Sequence, residues 1–342
     1  MIQLDPLDPL GTNADLVAMA RVDGVDRGDV HRFLAGGRSF EHFAKQRCLL
    51  PADAFPAYRD KPGLETWWTT RSRLERLPAG LLDEVEAEVA ERGPIRLSAI
   101  KDRGKVKALA YGAWKGTGKA VTMALEVLWA SCRVVVVGRA ARGERVYDVP
   151  ERTLAEVAGG PAPDWAPWAM RERVRAAGLF PMVSGPWWWA LRPHRKDGTI
   201  DALADGGALV RVHVGDGRRV HLADARLLES TPPEPDDRIR ILGPLDPVLW
   251  DRDLVEVVFG FEYRWEVYKP AAQRRWGWYV CPLLRGGRLI GRVDAKVVRD
   301  EDAIVVRKVW WEPGGRDERA LRRALDDHAR RCGVSRSVFT SR

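Results

Sequence analysis

Long uncharged apolar runs are missing from this sequence, which leaves no segment able to cross a bilayer as a helix. The N-terminus also lacks the basic-then-apolar layout of a secretory signal, so a cytoplasmic protein is expected. Cysteine is scarce: Cys48, Cys132, Cys281 and Cys332 lie far apart, with no Cys-x-x-Cys and no histidine cluster beside them. A disulfide framework and a structural zinc site are therefore not expected. Several catalytic signatures are missing too. No Gly-x-Ser-x-Gly occurs, and the six histidines show no His-Glu-x-x-His spacing. The stretch Gly112 to Ala120 approaches a phosphate-binding loop, but Ala113 stands where the pattern needs glycine and Ala120 where it needs Ser or Thr. Serine chemistry, metal hydrolysis and a nucleotide loop lose their support, and neither cofactor nor metal is expected.

What the chain has is length and positive charge. At 342 residues it should divide into two or three units. The net charge is +8 and the basic residues are mostly arginine, the side chain that grips phosphates in two-pronged fashion and stacks on bases. Nucleic acid is the natural partner that this charge points to. The plain alternative is compositional, since an Ala, Arg, Gly and Val-rich chain with little lysine is what a GC-rich genome writes on any surface. The 15 tryptophans are expected mostly in the core, with some available for stacking.

Two breaks, Gly159 to Pro163 and Thr231 to Asp237, read as linkers. Before the first, a charged amphipathic helix over Leu81 to Glu91 ends at Arg92-Gly93-Pro94. Ser98 is then expected to cap a short helix through Asp102. Thr117 should cap a longer one carrying Val121, Ala124, Leu125, Leu128 and Cys132 at helical spacing. A strand from Arg133 to Val137, a basic tip from Gly138 to Gly143 and a returning strand from Glu144 to Asp148 complete a helix, helix, hairpin order, that of a winged helix. Lys115 and Lys119 before the second helix, and Arg139 and Arg142 at the tip, become candidate DNA contacts. The order recurs after Gly160, with helices over Met170 to Ala177 and Ile200 to Asp205 and a hairpin of Ala208 to Val214 with Arg218 to Leu222. A third, partial copy is read at the start, with Ile2 to Asp5 and Asp15 to Val22 as its two wing strands. The last block predicts strands over Arg264 to Tyr268, Trp276 to Leu284, Arg288 to Val297 and Ile304 to Trp311, forming a small antiparallel barrel or curled sheet closed by a helix from Asp317 to Cys332. Within it, Arg274, Arg275 and Trp276 mix cations with aromatics as a nucleic-acid surface does, or as an exposed turn beside core tryptophans does.

The opening residues carry the most specific chemistry. On a strand, Ile2 and Leu4 share one face, which needs cover, while Gln3 and Asp5 project together from the other. An amide and a carboxylate at that spacing can hold a water, the carboxylate taking its proton and the amide fixing its orientation. A solvated strand edge is the bland explanation of the same pair. Glu41 and His42 are accessory candidates, although neighbouring residues on a strand point to opposite faces and a structural histidine is the commoner case.

Several segments together resemble a known family. They are Ile2 to Leu7, Phe40-Glu41-His42-Phe43 with Leu49-Leu50-Pro51, Tyr147 to Arg152, Leu242 to Pro247 running through Trp250-Asp251-Arg252 to Phe259-Gly260-Phe261, and Trp265 to Pro270. In this order they resemble the winged-helix DNA glycosylases of the YcaQ/AlkZ kind, from residue 2 to about residue 295. The resemblance implies an α+β, C-shaped scaffold of tandem winged helices followed by a C-terminal β-barrel. It also implies a Gln-x-Gln or Gln-x-Asp catalytic motif, which falls here on Gln3 and Asp5, and the release of alkylated purines, in some members from interstrand crosslinks. The family places a helix-turn-helix before that strand, so the chain is expected to be N-terminally truncated. The expected division is 1–92 for an incomplete first winged helix, 93–158 and 164–230 for the second and third, and 238–342 for the barrel with its closing helix. The expected activity is hydrolysis of the N-glycosidic bond of alkylated or crosslinked purines by a monomer engaged in DNA repair, with Asp5 as base or charge stabiliser and Gln3 holding water. The alternative is a non-catalytic winged-helix DNA-binding or regulatory protein.

Overall fold

A computed structural model describes the chain except residues 62–69, 108, 110–115, 141–142, 216 and 341–342. The chain falls into two compact units, one of His31–Trp168 with Met1, the other of Ile2–Val30 together with Ala169–Arg342. No described helix is long and apolar enough to cross a membrane.

In the first unit, Ser39–Phe43 and Arg47–Pro51 pair antiparallel, with Phe40 opposite Leu50 and His42 opposite Cys48. The expected helix at Leu81 is present as Leu81–Arg92, burying Val85 and Val89. The second helix, Ala120–Ala130, carries apolar residues almost all round and is buried along its length. The hairpin expected after it forms from Val135–Arg139 and Arg145–Asp148, joined in a three-stranded sheet by Ile95–Arg96.

Two expectations fail here. Ser98 caps no helix: Leu97–Ala99 is a single 3-10 turn, the Ser98 N–H donates to the Glu144 carboxylate at 2.6 Å, and the Lys101 N–H donates to Glu88 at 3.0 Å. Distant carboxylates thus satisfy backbone donors that a helix start would leave open. Thr117 is likewise no cap. It lies in a strand, Thr117–Lys119, paired with Lys105–Lys107, and the helix begins only at Ala120, whose N–H donates to the Gly104 carbonyl at 2.9 Å.

The second unit is built on a five-stranded sheet in the order Arg240–Ile241, Val280–Arg285, Arg288–Val298, Ala303–Trp311, Arg336–Phe339. It curls as a half-barrel, in line with the expected curled sheet, but its last pair is parallel, so the sheet is mixed and not antiparallel throughout. A helix at Glu318–Arg331 must cross back before the final strand can pair, which is the connection that parallel strands need. The predicted strand over Arg264 to Tyr268 does not form. The buried Glu266 carboxylate takes the N–H of Trp276 at 2.7 Å and draws that loop into a turn instead of a ladder.

The early segment folds into this sheet's core. Leu10 and Leu16 are fully buried with Cys281, Leu283, Val293, Leu321 and Leu325. The Val297 N–H donates to the Pro9 carbonyl at 2.8 Å, and the Arg27 N–H to the Arg331 carbonyl at 3.0 Å. Residues 15–22 therefore supply no wing strand: Asn13–Met19 is a helix. Thr12 caps it through the Asp15 N–H at 3.2 Å while the Asp15 carboxylate accepts the Thr12 N–H at 3.0 Å, a capping box that outweighs the local β-branched content.

Elsewhere in the chain, a helix at Trp165–Ala177 extends the expected one backwards. The helix Thr199–Asp205 and the hairpin of Leu209–His213 with Val220–Asp224 lie close to expectation. Residues 231–237 are exposed and without regular structure.

Candidate active site

The candidate catalytic pair sits at the start of the second unit, and its geometry differs from a plain strand. Only Ile2–Gln3 is extended. Gln3 is buried, whereas Ile2 and Leu4 are only partly covered, so the inward side is the one expected to face outward. The chain turns at Pro6, and the Asp5 carboxylate accepts the Leu7 N–H at 2.9 Å, closing a local turn that ends the strand. Gln3 and Asp5 therefore occupy a strand and a turn, not one strand face.

What holds Gln3 was not legible as a motif. The Asn13 side-chain amide donates to the Gln3 carbonyl at 2.8 Å, and its Oδ1 accepts the Leu245 N–H at 3.2 Å. Asn13 is 1% exposed and spends both ends of its amide on backbone. A Cβ on Gly243 would stand 2.5 Å from Asn13 Oδ1, so only glycine lets that loop approach. Asp246, fully buried, anchors the same loop: it takes both guanidinium nitrogens of Arg21 at 2.7 and 2.8 Å and the Val248 N–H at 3.0 Å. The segment Leu242 to Pro247 thus clamps the helix that carries Asn13. A buried asparagine just after a capping threonine was the available signal.

Around Asp5 the electrostatics favour the protonated acid. Burial raises its pKa above the ordinary 3.8, and the Leu7 N–H only partly opposes this. Asp8 is raised by burial as well, against its ion pair with Arg27 and with the Asp15 charge adding to the rise. The Tyr279 phenol is 2% exposed, and its hydroxyl has no hydrogen-bond partner among the described residues. Burial pushes it far up, and Asp5 and Asp8 are among the charges that add to the rise, which places it in their neighbourhood. Together these groups form a weakly solvated acidic corner in which a carboxylate near a bound cation would be strengthened.

The other expected site residues scatter. Glu41 is buried and pairs with Arg139 at 2.5 Å, so the wing arginine folds back onto its own unit. His42 is buried against Tyr58 and Trp129, and its Nε2 lies 3.0 Å from the Ala130 carbonyl. Burial drives its pKa down to about 4, so it is neutral at physiological pH and donates to that carbonyl as a packing residue. Lys119 is exposed on the small hairpin directly opposite Lys105, with Asp102 3.8 Å away. Like charges placed opposite each other cost stability unless an anion joins them. Lys115 and Arg142 lie outside the described residues.

Arg274, Arg275 and Trp276 are organised by the buried Glu266. It accepts Lys269 Nζ at 2.7 Å and the N–H groups of Trp276 and Gly277 at 2.7 and 3.4 Å. Burial alone would raise its pKa, but Lys269 and these N–H donors hold it at about 2. Arg275 lies 4.4 Å from the Trp276 ring centre, and the buried Arg292 lies 4.0 Å from both Trp276 and Phe261. Trp276 is therefore held between two guanidinium groups, and Arg275 also pairs with Glu262 at 2.7 Å. No group of His, Cys, Asp and Glu suited to a metal ion occurs among the described residues.

The family model "DNA glycosylase AlkZ-like" matches residues 1–333. The Streptomyces sahachiroi DNA glycosylase AlkZ is similar in structure with a TM-score of 0.56 and 21% identity, over 96% of this chain and 89% of that one. A match of that kind establishes the shared fold, and the family model spans nearly the whole sequence: the chain belongs to the AlkZ-like DNA glycosylase family.

Proposed function

We propose that this protein hydrolyses the N-glycosidic bond of alkylated purines in double-stranded DNA, including purines tied into interstrand crosslinks, with Asp5 and Gln3 at the reacting centre. The observation that carries the assignment of residues is Asp5 itself, a partly buried carboxyl with a raised pKa, two residues beyond a glutamine whose backbone is clamped by Asn13. An N7- or N3-alkylated purine is cationic, so it departs as a neutral base once the bond to C1′ breaks. The sugar is left with positive charge, which the Asp5 carboxylate steadies; water then adds to C1′ and its proton passes to Asp5. Gln3 orients that water. No covalent enzyme intermediate is needed. A base tied to both strands cannot be turned fully into a deep pocket, which suits an open, DNA-gripping scaffold.

The same reading extends to the fold. The helices Leu81–Arg92 and Ala120–Ala130 with the hairpin that follows, and the helix and hairpin order over 164–230, are taken as winged helices, and 238–342 as the barrel module. DNA contacts are assigned to Lys115, Lys119, Arg142, Arg274, Arg275 and Trp276, while Arg139, paired with the buried Glu41, and the packing residue His42 take no part. The protein acts as a monomer in this reading. One observation favours the non-catalytic alternative, the inward burial of Gln3. The deciding experiment is abasic-site formation on duplex DNA carrying N7-methylguanine. Asp5→Ala and Gln3→Ala should each abolish it and leave duplex affinity within about threefold; unchanged excision in both variants overturns the assignment.

A further inference from the structure

We propose that a second cationic cleft, on the half-barrel and lined by none of the candidate DNA contacts assigned above, binds the phosphate backbone of duplex DNA. It has a volume of about 820 Å³ and lies between the Ala303–Trp311 strand, the first turns of the Glu318–Arg331 helix and the end of the Arg336–Phe339 strand. Five cations line it: Arg307, Lys308, Arg316, Arg319 and Arg322. Its one acid, Glu318, is held by Arg316 at 3.1 Å. The excess of positive charge is thus uncompensated within the cleft.

The cleft is shaped by the sheet. Asp294 is paired with Lys308 and the next residue, Ala295, with Val306, so Arg307 is the extra residue of a bulge. A bulge re-aims a side chain, and Arg307 projects into the cleft with Asp294 its nearest acid at 3.9 Å. Arg319 and Arg322 lie three apart on the helix, hence on one face, and neither has an ion pair among the described residues. The aromatic walls are not platforms for bases. The Arg322 guanidinium covers the Phe339 ring at 4.6 Å, and Trp311 packs against the sheet core. Cations without a free aromatic face suit phosphates rather than unstacked bases, and a row of them suits a polyanion rather than a single phosphate.

This inference rests on the reading of the protein as a DNA enzyme, and its test is separable from base excision. Binding to undamaged duplex is titrated against salt for the wild type, for Arg319→Ala/Arg322→Ala, and for Arg323→Ala/Arg330→Ala, which removes equal charge from the same helix outside the cleft. The cleft pair should lower affinity about tenfold near 0.1 M salt and reduce the slope of log K against log salt by about 1.8, or 0.9 per phosphate contact. The outer pair should change the slope by less than about 0.5. Equal losses in both variants, or none in the cleft pair, would overturn the proposal. Single-turnover excision should be unchanged in the outer pair, whereas the cleft pair should need about tenfold more enzyme to reach half its maximal rate near 0.1 M salt. If the wild type binds duplex but excises nothing, the catalytic reading falls while the cleft is still tested; if the wild type binds no duplex, both fall.

Discussion

The side-chain amide of Asn13 joins a strand to a distant loop: it donates to the carbonyl of Gln3 at 2.8 Å and accepts the N–H of Leu245 at 3.2 Å. Residues more than 230 positions apart are thereby joined through one buried group beside the candidate catalytic strand.

Removing that amide should be costly twice over. Asn13→Ala leaves a buried carbonyl and a buried N–H unpaired, so a loss of about 2–4 kcal/mol in urea unfolding is expected. Excision should fall at least tenfold, mostly in the rate of the chemical step. Gly243→Ala should mimic it, because its Cβ would meet Asn13 Oδ1 at 2.5 Å. A fully active, fully stable Asn13→Ala would remove the bridge from the account.

For Asp5 the sign of the pH effect follows from burial. Its folded pKa is raised above 3.8, so the folded state holds the proton more tightly than the unfolded chain. Folding stability therefore declines as pH rises from 3.8 through the raised value, then levels off. Asp5→Asn lifts that penalty and should raise the melting temperature by about 1–3 °C at pH 7, with the gap closing below pH 3.8. Excision by the wild type should increase with pH through the same raised pKa, as the carboxylate forms. A pH-independent gap in melting temperature would contradict this.

Glu266 has the opposite sign. With a folded pKa of about 2 against an ordinary 4.5, it contributes stability above pH 4.5 that disappears as pH falls toward 2. Glu266→Gln should cost about 2 kcal/mol at pH 7 and nothing at pH 2, and should disorder the Arg275 and Trp276 loop. Tryptophan fluorescence across an acid titration reports both.

Tyr279→Phe should be neutral or stabilising by up to about 1 kcal/mol, because the hydroxyl it removes is buried without a partner. A loss above about 1 kcal/mol would mean that the phenol holds a bond in solution.

Periodicity and turn residues in the sequence determined several of the helices and hairpins in both units. The helix at Leu81–Arg92 and the hairpin of Leu209–His213 with Val220–Asp224 follow from patterns within a dozen residues, where spacing of apolar positions dominates. The order of quoted segments likewise determined the family. Local reading failed where partners come from afar: Glu144 takes the Ser98 N–H, Glu266 takes the Trp276 N–H, and a parallel last strand depends on a helix crossing back. Gln3 and Asp5 were picked out by type and position, and belong to the chain's own chemistry. Whether Gln3 faces inward, how far Asp5 is desolvated, and which side chains hold that turn were decided only by tertiary structure. Burial and long-range hydrogen bonds set the energy of a charge and the direction of a backbone, and neither is a property of neighbouring residues in sequence.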